Sequence, residues 1–178
     1  MRYIALIIPL VILLTACGGA TDSGQAPAPV SEPTQVEEPA EEPAPAPEEV
    51  LQEAVNQGIK KIGRQTNEQE ERIINVMIIP NVNSEGRYNV LLHLHADGAL
   101  SRNGFRTGIL SDTLRVLDVV KESEAFEFVQ DVSFFWYMGD VVAAKLTLPR
   151  SSLEQIDTSN RLEALSLPEY AETYLENF

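Results

Sequence analysis

Beyond residue 48 the apolar positions recur with two different periods, and each change of period marks a new element. Val50, Leu51, Ala54, Val55, Gly58, Ile59 and Ile62 are spaced by three and four, which predicts a helix over residues 48–63 with one apolar face. Glu48 and Glu49 at its start, and Lys60, Lys61 and Arg64 at its end, complement the helix dipole, and Gly63 can close it. Residues 72–80 (Arg-Ile-Ile-Asn-Val-Met-Ile-Ile-Pro) are β-branched and too few for a good helix, so they predict a strand ended by Pro80. After the turn-rich residues 81–86, Val90, Leu92, Leu94 and Ala96 alternate with Asn89, Leu91, His93, His95 and Asp97, a strand with one inward face. The helical period returns over residues 102–122, where Phe105, Ile109, Leu110, Leu114, Val116, Leu117 and Val120 form a broad stripe. Asp112, Arg115 and Asp118 fall opposite that stripe and read as a solvated face.

Residues 126–138 predict a long aromatic strand whose even positions, Phe126, Phe128, Val132, Phe134, Trp136 and Met138, make the more apolar face. Residues 141–148 predict the next strand, with Val142, Ala144, Leu146 and Leu148 facing inward. A two-residue loop at Gly139-Asp140 would set Phe134 beside Lys145, so matched faces call for a three-residue loop. Residues 151–154 (Ser-Ser-Leu-Glu) offer a capping box, and Pro168 suits the first turn of a final helix in which Tyr170, Tyr174 and Leu175 pack back. The resulting order, α-β-β-α-β-β-α, predicts an α+β domain: one antiparallel sheet of about four strands with helices mainly on one face.

The N-terminus follows other rules. An apolar run over residues 3–14 behind Arg2 is shorter than the roughly 20 residues needed to span a bilayer and reads as a signal peptide over residues 1–16. The run closes on Leu14-Thr15-Ala16-Cys17, which resembles the lipobox of bacterial lipoproteins. The resemblance implies cleavage before Cys17, a diacylglyceryl thioether on that cysteine with palmitate-type acyl chains, and a protein anchored on the extracytoplasmic side of a bacterial cell membrane. Residues 17–47 then form a tether rich in Pro, Glu and Ala, with Val30 and Val36 as its only large apolar side chains, too few to fold. Extended as polyproline, at about 3.1 Å per residue, it would reach up to roughly 90 Å. Residues 48–178 make the single folded domain. Within it, Gly108-Ile-Leu-Ser-Asp-Thr113, Val132-Ser-Phe-Phe-Trp136 and Leu167-Pro-Glu-Tyr-Ala171 resemble an uncharacterised domain of small secreted or lipid-anchored proteins of Gram-positive bacteria, a resemblance that carries no chemistry.

Charge narrows the function classes. The chain carries −14 overall, and from Val50 onward 19 acidic residues face 12 basic ones, leaving about −7 on the domain. That balance argues against nucleic acid as a partner and against adhesion to anionic headgroups, both of which need clustered Lys and Arg. With the lone cysteine, Cys17, assigned to lipid, no disulfide is available within the chain. No Gly-x-Ser-x-Gly, no P-loop and no cysteine nucleophile is present, so the expectation is a non-catalytic domain.

Two candidate surfaces stand out. His93, His95 and Asp97, at i, i+2 and i+4 on one strand, share a face and could together ligate zinc or another divalent metal; the same string also reads as the wet side of a half-buried strand ending in an Asp97-Gly98 turn. Val129, Phe135 and Tyr137 share the second face of the aromatic strand. They form an outward contact patch if helices cover only one side of the sheet, or a covered one if residues 162–178 fold across it. The expected function is therefore a membrane-anchored extracytoplasmic lipoprotein with a non-catalytic binding or interaction domain whose partner the sequence does not name, another envelope or surface protein being one candidate. The alternative is a metal-binding lipoprotein built on His93, His95 and Asp97.

Overall fold

Periodicity translates directly into the elements that are seen. The computed structural model describes residues 45–177; the signal segment, Cys17 and the tether to residue 44 lie outside the described residues. Helix α1 runs Pro47–Ile62, with Pro47 in the first turn, Glu48 and Glu49 beside it, and Gly63 beyond the end at φ 93°. The order continues with β1 (Ile73–Pro80), β2 (Tyr88–His95), α2 (Arg102–Glu122), a 3-10 segment at Glu124–Phe128, β3 (Val129–Met138) and β4 (Val141–Pro149). Short helix α3 (Arg150–Gln155), a 3-10 segment at Arg161–Ser166, helix α4 (Leu167–Tyr170) and strand β5 (Thr173–Glu176) complete it.

The class is α+β as expected, but the sheet has five strands, in the spatial order β1-β2-β3-β4-β5. The fifth is the C-terminal segment. The helix expected from Pro168 stops at Tyr170, and Tyr174 and Leu175 instead pair with Leu146 and Lys145 of β4. β1–β2, β3–β4 and β4–β5 are antiparallel, whereas β2 and β3 are parallel. The cause is α2. Its 21 residues span about 32 Å at 1.5 Å per residue, enough to return the chain to the end at which β2 began, so β3 sets off in the same direction.

Among the described residues the helices pack on one side of the sheet. Leu51, Val55 and Ile59 of α1, Leu110, Leu114 and Leu117 of α2, Leu153 of α3, Ala164 and Leu167 join one core with Val90, Leu92, Leu94, Val132, Phe134, Trp136, Leu146 and Leu148 of the sheet. Helices α1 and α2 approach closely because Gly58 has no side chain: a Cβ there would stand 3.1 Å from Val116 Cα and 3.2 Å from its Cγ1. Ser101 caps α2, its Oγ accepting from the Gly104 N–H at 3.1 Å. The capping box expected at Ser151 does not form, because α3 already starts at Arg150 after Pro149.

Two bulges revise the expected faces. The β3–β4 hairpin turns on Gly139 (φ 58°) and Asp140 as a two-residue loop, with Met138 facing Val141 and Tyr137 facing Val142. A shift at Trp136/Tyr137 then inserts Ala143, so that Trp136 meets Ala144 and Phe134 meets Leu146. The bulge does the face-matching that was expected of a longer loop, and Ala143 rather than Val142 is buried. At the other end of β3 a shift between Tyr88 and Asn89 skips Gln130, which turns Val129 into the core, fully buried. Val129 therefore does not belong to the outward patch. Phe126 and Phe128 precede the strand, and Met138 is 51% exposed at its end.

Candidate functional site

Alternation along each strand leaves a second sheet face, opposite the helices. Register pairing lines up Asn75, His93, Phe135, Lys145 and Leu175 in one row across all five strands, and Met77, Leu91, Ser133, Thr147 and Thr173 in the next. Residues 161–177 do not fold across this face. Ala164 and Leu167 enter the core from the helix side, and β5 extends the sheet sideways. Among the described residues every helix buries its side chains in the core on the other side, so this face is open.

The open face carries a small aromatic cluster. The His93 ring stacks on Phe135 with centroids 4.5 Å apart and planes 7° from parallel, and Tyr137 lies 5.8 Å away. Such a stack forms because β2 and β3 are parallel neighbours, which sets His93 beside Phe135 in register. His93 Nδ1 stands 3.0 Å from the Tyr137 hydroxyl, and burial lowers the histidine pKa below its ordinary value. Lys145 Nζ sits 5.1 Å from the Phe135 centroid, a cation–π contact. Ser133 Oγ and Thr147 Oγ1 share a hydrogen bond of 3.0 Å in the adjoining row. The surface thus mixes aromatic (His93, Phe135, Tyr137), aliphatic (Met77, Leu91, Leu175) and hydrogen-bonding side chains with one cation, Lys145, and its aromatic and methionine content is of the kind enriched at protein contacts.

At the C-terminal end of β2 lies a second constellation that pattern reading missed. Arg72 is only 1% exposed, and its guanidinium donates to the His95 carbonyl at 3.1 Å, to the Ile62 and Gln65 carbonyls at 3.4 Å each, and to Asp97 Oδ1 at 2.9 Å. Asp112 Oδ2 of α2 stands 3.9 Å from it. The same Asp97 Oδ1 accepts the Asn67 N–H at 2.8 Å, and the Asn67 side chain clasps Gly98 through its N–H and its carbonyl. Asp112 is largely buried, which pushes its carboxyl up to about 6 against the opposing pull of Arg72 and Arg115. An arginine heading an apolar strand run is the only sequence signal of this arrangement, and Asp112 looked like part of a wet stripe because Arg72 reaches it from another element.

The three residues considered as metal ligands are therefore separately placed. His93 Nδ1 faces the Tyr137 hydroxyl, Asp97 holds Arg72, and His95 Nδ1 lies 3.0 Å from Glu70 Oε2 but outside hydrogen-bond geometry. Asp97 lies past the end of β2, in the loop, so the i, i+2, i+4 spacing no longer aims it with the histidines. Among the described residues no three His, Cys, Asp or Glu side chains come together as a metal site. Asp97 and Asp112 line a small cavity of about 180 Å³ with Gly104, Gly108 and Trp136. A wider cleft of about 540 Å³ beside α2 is lined by Lys61 and Arg115, which are already paired with Asp118 and Asp112.

The fold and this surface define a class: an α+β domain with a mixed five-stranded sheet, helices on one face and the other face open. Comparison with known protein families, with curated proteins and with solved structures found no match to the chain.

Proposed function

We propose that this chain is a lipid-anchored extracytoplasmic protein whose folded domain is a binding module, non-catalytic, that contacts another envelope or surface protein through the open face of its sheet. The observation that carries the reading is the half-buried cluster of His93, Phe135, Tyr137 and Lys145 on a face over which no described helix packs. Open aromatic faces with interspersed hydrogen-bonding groups mark contact sites more often than scattered apolar residues do. The anchor rests on Leu14-Thr15-Ala16-Cys17 and on the proline-rich tether that follows. The metal-binding reading is not carried forward, since among the described residues His93, His95 and Asp97 do not converge, and His93 and Asp97 face Tyr137 and Arg72 instead.

The test uses the full chain in a bacterial host with a photoreactive residue at Tyr137 and, in a control, at the exposed Glu53 of α1. A discrete protein adduct from position 137 and none from position 53 is the expected outcome. Adducts at both, or at neither, overturn the reading of the face. In parallel, fatty-acid labelling of the chain should disappear in Cys17→Ala; labelling that persists removes the anchor.

A further inference from the structure

The two edges of the sheet differ in how they are protected. Strands left unpaired are kept from joining other chains by shortness, charge, proline or bulges. β5 has four residues and carries Glu176. β1 has eight residues and no charge, and its protective devices sit only at its ends: a bulge between Ile73 and Asn75, and Pro80. The run Asn75-Val-Met-Ile-Ile79 between them has none.

This run is also incompletely buried. Val90 and Leu92 on β2 are fully buried, yet their register partners Ile78 and Val76 are only half-buried, and Ile74 and Ile79 are 45% and 44% exposed. The chain's own tether is a poor occupant of the edge: prolines at 27, 29, 33, 39 and 43 lack the N–H that a ladder needs, and the proline-free stretches hold almost no β-branched residues.

We propose that β1 pairs with β1 of a second copy of this chain, antiparallel about a two-fold axis at Met77, joining two five-stranded sheets into one of ten. In an antiparallel pair, facing residues share a side, so the axis falls on a residue and not between two. At Met77 it sets Val76 opposite Ile78 of the second copy on the helix side, and Asn75 opposite Ile79 on the open side, with Met77 opposite itself. A self-pair at a charged edge would place like charges against each other, which is destabilising. β1 meets the condition by carrying no charge, whereas an edge shaped for a foreign strand would be under no such constraint. One strand pair buries less than the roughly 1,200–2,000 Å² of a stable interface, so the dimer is weak in free solution. Copies confined to one membrane, as the anchoring proposal has them, would reach it through effective concentration.

The experiment places a cysteine at the axis of the full-length chain, Met77→Cys, with Leu175→Cys on the opposite edge as control. Facing Cβ atoms in such a pair lie about 4.5–5.5 Å apart, close to disulfide range. Circular dichroism first establishes that both variants are folded. Under mild oxidation, in cells and with the purified chain at high concentration, Met77→Cys should give a disulfide-linked species of twice the chain mass. Leu175→Cys and the unsubstituted chain, whose single cysteine is Cys17, should not. No dimer at position 77, equal dimer at both positions, or a cross-link to a species of another mass overturns the proposal. The purified chain also carries Cys17→Ser and needs no membrane, so its dimer reports on pairing alone, and a failure of anchoring and a failure of pairing give different results.

Discussion

The carboxylate of Asp112 shows how a residue's chemistry is set by what reaches it from elsewhere. Burial raises its pKa from 3.8 to about 6, although Arg72 and Arg115 both favour the ionised form. Below pH 3.8 the group is protonated in folded and unfolded chains alike. Between 3.8 and 6 the unfolded chain sheds the proton first, so stability falls as pH rises through that window, and above it the loss is complete. Asp112→Asn keeps the shape and cannot ionise. Its unfolding free energy relative to the natural chain should rise by on the order of 1–3 kcal/mol from pH 4 to pH 6.5 and then level off. Urea unfolding at four pH values in that range checks this, and a difference independent of pH would contradict it.

Between elements, the joint that matters most is the one between β3 and α2. Trp136 is fully buried, stacks parallel to Phe134 at 6.4 Å, and donates its indole N–H to Thr113 Oγ1 of α2 at 3.0 Å. Trp136→Ala should cost about 3–5 kcal/mol through lost burial and the cavity left behind. Thr113→Val, which leaves the indole N–H without an acceptor, should cost about 1–3 kcal/mol. The double variant should cost less than the two together, because the threonine's role ends with the indole. His93→Ala belongs to the same comparison. As a merely wet residue it would cost less than about 0.5 kcal/mol. Its bond to Tyr137 and its stack on Phe135 raise the expectation to about 1 kcal/mol, still well below Trp136. Denaturant midpoints of the four variants rank them, and a lower midpoint for His93→Ala than for Trp136→Ala would reverse the assignment of the two faces.

At the scale of the whole molecule, the domain begins where apolar periodicity begins. Helix α1 starts at Pro47, and its side chains Leu51, Val55 and Ile59 close the core over α2. Deleting residues 24–44, a segment almost without large apolar side chains, should leave the thermal midpoint of the chain nearly unchanged. Calorimetry of the two forms decides it. A drop of many degrees would mean that the tether contributes to the fold.

Spacing alone determined much of this protein. The limits of α2 and, to within a residue, of β1, and the start and inward face of β2, follow from apolar repeats at 3.6 and 2, because those periods express which side chains one face of a helix or strand can bury. Trp136 and Phe134 were legible as core for the same reason. Tertiary structure decided what period cannot express. The direction of β3 beside β2 depended on the length of α2 and on where it delivered the chain. The inward turn of Val129 and the pairing of Trp136 with Ala144 depended on single skipped residues in the ladder, which shift a face without changing composition. Residues 173–176 became a strand because β4 offered an unpaired edge. The candidate site divides in the same way. Phe135 and Tyr137 could be placed on an outward face from alternation, but the stack with His93 required β2 and β3 to be neighbours in register. Arg72 and Asp112 met only because a strand's first arginine and a helix's polar stripe were folded together, and sequence separation conceals such contacts.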